Sequence, residues 1–327
     1  MKNSTAPNRK TGRMIAKNLI VLFTVALAGF CGIQAWFTDN RSAEANGIEV
    51  ECQAPDGIEI AVVGHDAPAP TEYTTGNITL NKTNCKFLEK LQLTEITGDG
   101  TFFRKPALIQ SGGQAHVDTK AEWSEPTANE HYLSFDLYIR SKSQYNISIG
   151  KKSTIKPDAS QLTSQDGTGI KNKSKYGNFS RDSVVGAVRF SVVDYKSAPP
   201  SKKLLWLPAP NILLKQTTDE YTLSDDMPSG ESYSHVYYDT NRVQHTVSST
   251  DVDKAFVVNN DGFDGGKFTY ELGQNQNIAQ LNKSSENDQF YSAMVTCNMW
   301  IEGEDAEARL ALVNGKFKVN LVLTKVS

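Results

Sequence analysis

The sequence lacks the motifs that mark the common classes of enzyme. It contains neither the H-E-x-x-H spacing of zinc peptidases, nor a G-x-S-x-G nucleophile turn, nor a glycine-rich loop for nucleotides. Gly265-Gly266-Lys267 is followed by Phe268 and lacks the upstream glycine of a phosphate-binding loop. The five histidines are dispersed along the chain as His65, His116, His131, His235 and His245. These absences predict a protein without catalytic residues, without a metal site and without a cofactor.

Cysteine is scarce as well, with four residues in a chain of 327. Cys31 lies in the N-terminal apolar run, where the preceding Phe30 disfavours lipidation because a small residue is needed at that position. The other three, Cys52, Cys85 and Cys297, lack the C-x-x-C spacing of a zinc site. Cys52 and Cys85 can close one disulfide in an oxidising compartment. The alternative is that all three are buried thiols, and the sequence leaves both interpretations open.

Long hydrophobic runs are limited to one, at residues 19–33, which follows a segment with five basic residues and no acid. A basic segment, a short apolar run and a small residue at its exit are typical of a secretory signal. The run is shorter than the roughly 20 apolar residues that span a bilayer as a helix. We therefore predict cleavage between Ala35 and Trp36, with Ile33 two residues before Ala35. The alternative is that residues 1–35 remain as an N-terminal membrane anchor.

An excess of basic charge is also missing, since the net charge of the chain is −3. Cleavage after Ala35 would remove five basic residues and leave residues 36–327 with a net charge of −8. A mildly acidic protein is a poor partner for nucleic acid. The predicted partners are therefore a second copy or another cell-surface protein, and a signal peptidase during export. Contact with a membrane is predicted only through residues 19–33.

Helical periodicity is rare, whereas segments with one apolar face at every second residue recur along the chain. Residues 131–140 are the clearest predicted strand. Residues 48–52 and 58–62 flank the turn Pro55-Asp56-Gly57 and predict a hairpin. Further strands are predicted at residues 145–149, 184–192, 204–207, 289–302 and 317–323. Strands of this kind build an all-β, antiparallel β-sandwich, and the length favours a jelly-roll-like version.

Three segments depart from this pattern. Residues 151–182 and 215–285 are polar and rich in turn residues, which predicts two long insertions in a single domain spanning residues 36–327. Residues 303–314 contain helix-forming residues and precede Gly315, which predicts one short helix near the C-terminus. Residues 85–97 fit either a helix or a strand.

Two sets of side chains suggest binding. Acidic residues surround one glycine turn and could supply some of the roughly six to eight oxygens that bind calcium. A solvated hairpin without a bound ion is the simpler interpretation. The acidic residues are Asp251, Asp253, Asp261 and Asp264. Aromatic rings fall on predicted polar faces, where they suit either sugar binding or ordinary sheet packing. The rings are those of Tyr132, Tyr138, Tyr237, Tyr238 and Trp300.

The residues that follow the apolar run carry a family resemblance. Ala35-Trp36-Phe37-Thr38-Asp39 resembles the A-x-F-x-D junction of the TasA and camelysin (CalY) family, and residues 45–50 resemble the turn and first strand after that junction. These are secreted proteins of Gram-positive bacteria that are processed by a SipW-type signal peptidase. The strong match is limited to the junction and the strand after it. The rest of the chain shows a looser, all-β resemblance, and residues 300–305 resemble the large uncharacterised secreted relatives in this family.

The resemblance implies a jelly-roll subunit of an extracellular biofilm-matrix fibre. In such fibres the freed N-terminal segment pairs as a strand with the neighbouring subunit. Here that donor arm would be residues 36–47, with Trp36 and Phe37 as anchors. The first hypothesis is thus a secreted, non-enzymatic surface or matrix protein. A carbohydrate-binding adhesin is the alternative, and the metalloendopeptidase label of camelysins is less favoured because no metal-ligand motif supports it.

Overall fold

The regular structure of the chain is almost entirely β, as the alternating sequence pattern predicts. The computed structural model describes residues 43–44, 48–111, 114–157, 188–208, 214–216, 221–223, 236–238, 241–246, 256–258, 263–264, 267–268, 270–303 and 317–326. The strands are β1 (Ala43–Glu44), β2 (Ile48–Gln53), β3 (Glu59–Gly64), β4 (Ile78–Leu80), β5 (Gln92–Leu93), β6 (Glu95–Gly98), β7 (Phe103–Arg104), β8 (Leu108–Ser111), β9 (Gln114–Val117), β10 (Leu133–Ser141), β11 (Asn146–Ile149), β12 (Thr154–Pro157), β13 (Val188–Asp194), β14 (Ser201–Leu207), β15 (Leu214–Gln216), β16 (Tyr221–Leu223), β17 (Val236–Tyr238), β18 (Gln244–Thr246), β19 (Phe256–Val258), β20 (Phe263–Asp264), β21 (Lys267–Phe268), β22 (Gln276–Gln280), β23 (Tyr291–Glu302) and β24 (Phe317–Val326). One 3₁₀ turn, Lys86–Leu88, lies in the segment that fitted either a helix or a strand, and β5 and β6 follow it.

The first of two large sheets contains eight strands. Its order is β3-β10-β23-β13-β14-β19, and β6 and β7 extend it at one end of β23. The centre is the antiparallel pair β10 and β23, in which Leu133 lies opposite Met299 and Ser141 opposite Tyr291. β6 pairs in parallel with the end of β23 and then forms a hairpin with β7. This hairpin provides the cover of the candidate site.

The second sheet contains six strands around β24. Its order is β22-β11-β24-β2-β4, and β12 also pairs with β24. β2 runs parallel to β24, with Ile48 opposite Phe317, whereas β11 and β12 are antiparallel to it. The sheets are therefore mixed rather than purely antiparallel.

One hydrophobic core lies between the two sheets. β10 and β23 of the first sheet, and β2 and β24 of the second, all turn alternate side chains into the same cluster. Complete burial of an aliphatic or aromatic side chain contributes roughly 1.5–3 kcal/mol of transfer free energy. The largest buried core side chains include those of Trp206, Phe135, Phe190 and Phe317. The all-β sandwich is thus confirmed, while the jelly-roll-like connection of its strands stays a prediction.

The predicted hairpin between residues 48–52 and 58–62 is wrong. The turn itself forms, since the Ile58 amide donates to the Pro55 carbonyl over 3.1 Å and Gly57 has a φ of 75°. However, β2 and β3 belong to different sheets. Cys52 on β2 enters the core from the second sheet, and Ile60 on β3 enters it from the first. Alternation shows which face of a strand is buried but not which strand is its neighbour, so it fits an arch between sheets equally well.

The boundaries of the two predicted insertions also need correction. β12 lies within residues 151–182 and pairs with β24, while residues 158–187 lie outside the described part of the chain. β19 and β22 lie within residues 215–285, and they pair with β14 and β11 in the two large sheets. β22 escapes detection because its sequence is QNIAQ, in which Ile278 is the one strongly apolar residue. The predicted helix at 303–314 falls on residues that are not described, apart from Gly303.

Candidate functional site

A layer of buried polar side chains lies on the outer face of the first sheet, away from the core. Each of these side chains is at most 4 % exposed. We call the set the polar layer: Ser134 and Asp136 on β10, Thr296 and Asn298 on β23, and Ser191 on β13. The strand register brings them together, because Asp136 lies opposite Thr296, and Asn298 lies opposite both Ser134 and Ser191. The sequence pattern does not predict this layer, since polar residues that alternate with core residues indicate a solvated face.

Hydrogen bonds connect the polar layer across three strands. The Ser134 hydroxyl donates to the Asn298 side-chain oxygen over 2.7 Å, and the Asn298 amide donates to Ser191 Oγ over 3.4 Å. Ser191 then donates to the main-chain carbonyl of Gly100 over 2.6 Å. Thr296 donates to Asp136 over 2.7 Å. Because an unpaired buried polar group costs roughly 1–3 kcal/mol, these bonds are what allow the layer to be buried.

His65 closes one side of the polar layer. It follows β3, and its Nδ1 lies 2.9 Å from Asp136 Oδ1. Its Nε2 lies 3.6 Å from the carboxylate of Asp66, whose side chain is 89 % exposed. The ring of Tyr195 packs against the imidazole with centroids 5.4 Å apart. A nucleophilic dyad needs a hydroxyl or thiol at the second ring nitrogen. In this site the carboxylate of Asp66 lies at the second ring nitrogen of His65, so the arrangement suits an ion pair rather than covalent catalysis.

The pKa shifts of the two residues point the same way. Burial works to raise the pKa of the Asp136 carboxyl, but hydrogen bonds from His65 and Thr296 outweigh it, and the pKa is lowered. The hydrogen bond with Asp136 raises the pKa of His65, against the opposing effect of burial. Burial raises the pKa of Tyr195 further above neutral pH, to about 12. The charged forms of His65 and Asp136 therefore stabilise each other.

We expect this ion pair to stabilise the fold within a defined pH window. The raised pKa of His65 makes its contribution complete below the unfolded value of 6.5, and the contribution is lost as pH rises through the folded value. The lowered pKa of Asp136 makes its contribution complete above 3.8, and this is lost as pH falls through the folded value. Denaturant unfolding of the native protein and of Asp136→Asn should therefore differ most between these two values. A difference in unfolding free energy that is independent of pH would contradict the ion pair.

The turn of the β6–β7 hairpin covers the polar layer. We call residues 99–102 the hairpin tip. Asp99 Oδ1 accepts hydrogen bonds from the amides of Thr101 and Phe102, at 2.7 and 2.8 Å. The Tyr195 hydroxyl donates to the Thr101 carbonyl over 2.8 Å. Gly100 has a φ of 89°, and a Cβ there would lie 2.9 Å from Ser191 Cβ. Glycine is therefore required at this position for both the turn and the close approach to the sheet.

The base of the same hairpin is held by an apolar cluster that includes Trp300. The indole ring is 0 % exposed and meets the Phe103 ring edge to face, with centroids 5.0 Å apart. Its Nε1 donates to Glu302 over 3.2 Å. The other members of the cluster are Ile96, Leu205 and Leu207, with Tyr132 packed against them. The prediction of an exposed Trp300 is thus wrong, because β6 and β7 cover the face that the alternation predicts to be open.

Of the other aromatic residues predicted on polar faces, Tyr138 is half-buried, and the side chains of Tyr237 and Tyr238 are not described.

A second cluster surrounds Arg140 on the opposite half of β10. The guanidinium lies 3.9 Å from the centroid of the Tyr73 ring and 4.3 Å from that of Phe290. Its Nε donates to Glu59 on β3 over 2.6 Å. The Arg140 side chain thus connects two loops to the sheet by two stacked rings and one ion pair. We call this group the arginine clamp.

The disulfide between Cys52 and Cys85 is not formed in the structure. Both residues have free thiols, with Cys52 buried and Cys85 half-buried. Cys297 is also a buried free thiol, as its position in an apolar alternation predicts. Burial raises the pKa of Cys52 to about 12 and that of Cys297 well above its usual value. The buried-thiol interpretation therefore describes Cys52 and Cys297.

The acidic cluster that could bind calcium lies largely outside the described part of the chain. Asp264 lies in β20, whereas Asp251, Asp253 and Asp261 are not described. Within the described residues, no group of three or more His, Cys, Asp or Glu side chains is placed to hold a metal ion.

His131 has a structural role, since its Nδ1 accepts a hydrogen bond from the Thr127 amide over 2.9 Å.

The donor arm predicted at residues 36–47 is represented by one short strand. Ala35, Trp36 and Phe37 lie outside the described residues. Ala43 and Glu44 form β1, which pairs in antiparallel register with Leu93 and Gln92 of β5. On its other edge, β5 is fixed by hydrogen bonds from the Gln92 and Thr94 amides to the carbonyls of residues 130 and 131. Part of the predicted arm thus pairs as a strand with the body of its own chain.

No family model, curated protein or solved structure matches the chain. The TasA and camelysin resemblance therefore rests on the junction at residues 35–39 and the strand that follows it. Across the described ranges, there is no helix of the length and hydrophobicity that a membrane span requires. The predicted signal or anchor at residues 19–33 lies outside those ranges.

Proposed function

We propose that this chain is a secreted or cell-surface structural protein that assembles with further copies of itself by β-strand donation. The proposal makes it a non-enzymatic subunit of an extracellular matrix or fibre. Export through residues 1–35 supplies the free N-terminal arm, and a β-sandwich supplies strand edges that accept it.

The pairing of β1 with β5 is the observation that supports this proposal. Ala43 and Glu44 of the arm form a strand of their own, β1, which pairs with β5. Residues 45–47 come between β1 and β2, the first strand of the sandwich. β5 has its other edge occupied, so the arm completes it on the open side. Main-chain hydrogen bonds of this kind do not depend on which copy of the chain supplies the strand. The arm therefore has the chemistry that strand donation needs.

Processing and assembly can be tested together. The full chain is exported from a Gram-positive host that supplies a SipW-type signal peptidase, and its intact mass is measured. We expect a mature chain that begins at Trp36 and forms filaments visible by negative-stain electron microscopy. A mature chain that remains monomeric at high concentration would contradict assembly, and an uncleaved product would exclude a free donor arm.

The two aromatic anchors give a sharper test. The double substitution Trp36→Ala and Phe37→Ala should raise the concentration needed for filaments at least about tenfold, because each buried ring is worth roughly 1.5–3 kcal/mol. Thr38→Ala is the matched control in the same arm and should leave assembly unchanged. Filaments that form equally well from the double variant would show that these rings are not anchors.

A further inference from the structure

We propose that His65 and Asp136 form an acid-sensitive latch that holds the hairpin tip on the polar layer. This inference is independent of the proposed assembly, since it concerns the outer face of the first sheet. It rests on the contacts that lead from the ion pair to the tip and on the polarity of the surface under the tip.

The first contact route runs through Tyr195. His65 bonds to Asp136 over 2.9 Å, and its ring packs against that of Tyr195. Tyr195 in turn donates its hydroxyl proton to the Thr101 carbonyl in the hairpin tip. The ion pair therefore fixes the imidazole ring, and the imidazole ring supports the tyrosine that holds the tip.

The second route runs through the polar layer. The main-chain amide of His65 donates to the carbonyl of Ser134 over 3.3 Å, two residues before Asp136 on β10. Ser134 bonds to Asn298, which bonds to Ser191, which donates to the Gly100 carbonyl. Both routes end on adjacent carbonyls of the tip. The side chains of Ser191 and Tyr195 thus hold the tip through one hydrogen bond each.

The polarity of this contact allows the tip to open by itself. Phe102 is 51 % exposed and stays out of the covered surface. The base of the hairpin is fixed separately by Ile96, Phe103 and Trp300 in the apolar cluster. Release of residues 99–102 would therefore expose hydroxyl, amide and carboxyl groups, which water can solvate, and would leave the apolar cluster covered. Segments with few apolar contacts are the ones that open locally.

Acid is the trigger because Asp136 is the buried counter-charge of His65 and loses its charge when it is protonated. Asp136 faces His65 directly, and Asp66 lies beside its second nitrogen. Among the described residues, Asp99 and Tyr132 also interact with Tyr195, and Tyr138 and Cys297 interact with Asp136. Glu125 and Arg104 lie further out, where they pair with each other beside Tyr132. Protonation of Asp136 leaves the imidazolium without its buried counter-charge. The ring then gains by turning to solvent, and the support of Tyr195 is lost.

Amide hydrogen exchange measures the latch directly. Exchange of residues 98–103 is followed by mass spectrometry as pH is lowered from about 6 to well below 3.8, because the pKa of Asp136 is lowered, and is corrected for the intrinsic pH dependence of exchange. We expect protection of this segment to fall about tenfold, the effect of losing one or two net hydrogen bonds, while β10 and β23 stay protected. Asp136→Asn should lower protection at neutral pH to the acid level and remove the pH dependence.

Matched variants separate the latch from other carboxyl groups. Asp99→Asn keeps an acceptor oxygen for the tip amides but removes the charge at that position, and Asp66→Asn removes the exposed carboxylate beside His65. Both should retain the pH dependence. If Asp136→Asn fails to fold, His65→Gln provides the same test, since it should also abolish the pH dependence. Loss of the pH dependence in Asp99→Asn, or protection that falls equally in β10 and β23, would overturn the proposal.

Discussion

Replacing Trp300 with alanine is expected to lower the free energy of unfolding by about 3–5 kcal/mol, the range for truncating a fully buried tryptophan. The ring is 0 % exposed and packs with Phe103, Ile96 and two leucines of β14. Its removal would leave a cavity between the β6–β7 hairpin and the sheet and would also remove the hydrogen bond from Nε1 to Glu302. Urea unfolding followed by circular dichroism measures the loss.

Tyr138→Ala is the matched control for this prediction. Tyr138 is also an aromatic residue on the outer face of the first sheet, but it is half-buried, so its truncation should cost less than about 1 kcal/mol. A loss below about 1 kcal/mol for Trp300→Ala would contradict the burial of the indole. The result also bears on the adhesin alternative. If Trp300→Ala reduced glycan binding, the cause would be disruption of the sheet cover, because the ring is not available to a sugar.

Replacing Arg140 with alanine is expected to cost about 2–3 kcal/mol, from two stacked rings, one ion pair and the packing of the side-chain stem. Glu59 and Arg140 are each less than one third exposed, at 28 % and 29 %. Their interaction is therefore screened less than that of a surface pair. Without the guanidinium, the rings of Tyr73 and Phe290 lose their cation–π partner, and both loops lose this connection to β10. Denaturant unfolding measures the effect on stability.

Arg140→Lys distinguishes the rings from the charge. Lysine retains a positive charge near Glu59 but has no planar group that can stack on two rings. We therefore expect Arg140→Lys to lose about half of what Arg140→Ala loses, with faster proteolysis in the loops that carry Tyr73 and Phe290. Equal stability of Arg140→Lys and the native protein would show that charge alone accounts for the clamp.

The sequence predicts the strands of the sandwich well because alternation is a local property. Residues 131–140 and 317–323 correspond to β10 and β24, and the side chains expected in the core are buried there. Neighbours across the sheets do not follow from local pattern. The turn at Pro55-Asp56-Gly57 suggests a hairpin, yet β2 pairs with β24 and β3 with β10, because each strand is placed by long-range burial.

The candidate site is invisible in the sequence for a similar reason. Asp136 and Asn298 occupy the positions of solvent-facing residues in their strands. Their burial depends on a hairpin tip near residue 100 and on His65, which lie far away along the chain. A lone histidine and an aspartate 71 residues later carry no spacing signal. The exposure predicted for Trp300 is wrong for the same reason, since the residues that cover its ring come from β6 and β7.

The position of β24 has a consequence for when the protein can fold. This strand is the last of the fold to leave the ribosome, yet it is the centre of the second sheet and pairs with β2, the first strand of the sandwich. Contacts between such distant residues slow folding because a long loop must close before they form. A nascent chain therefore lacks the middle of the second sheet until β24 has been synthesised. β2, β11 and β12 therefore have no common neighbour until then, and the second sheet forms only when nearly all of the described chain is present.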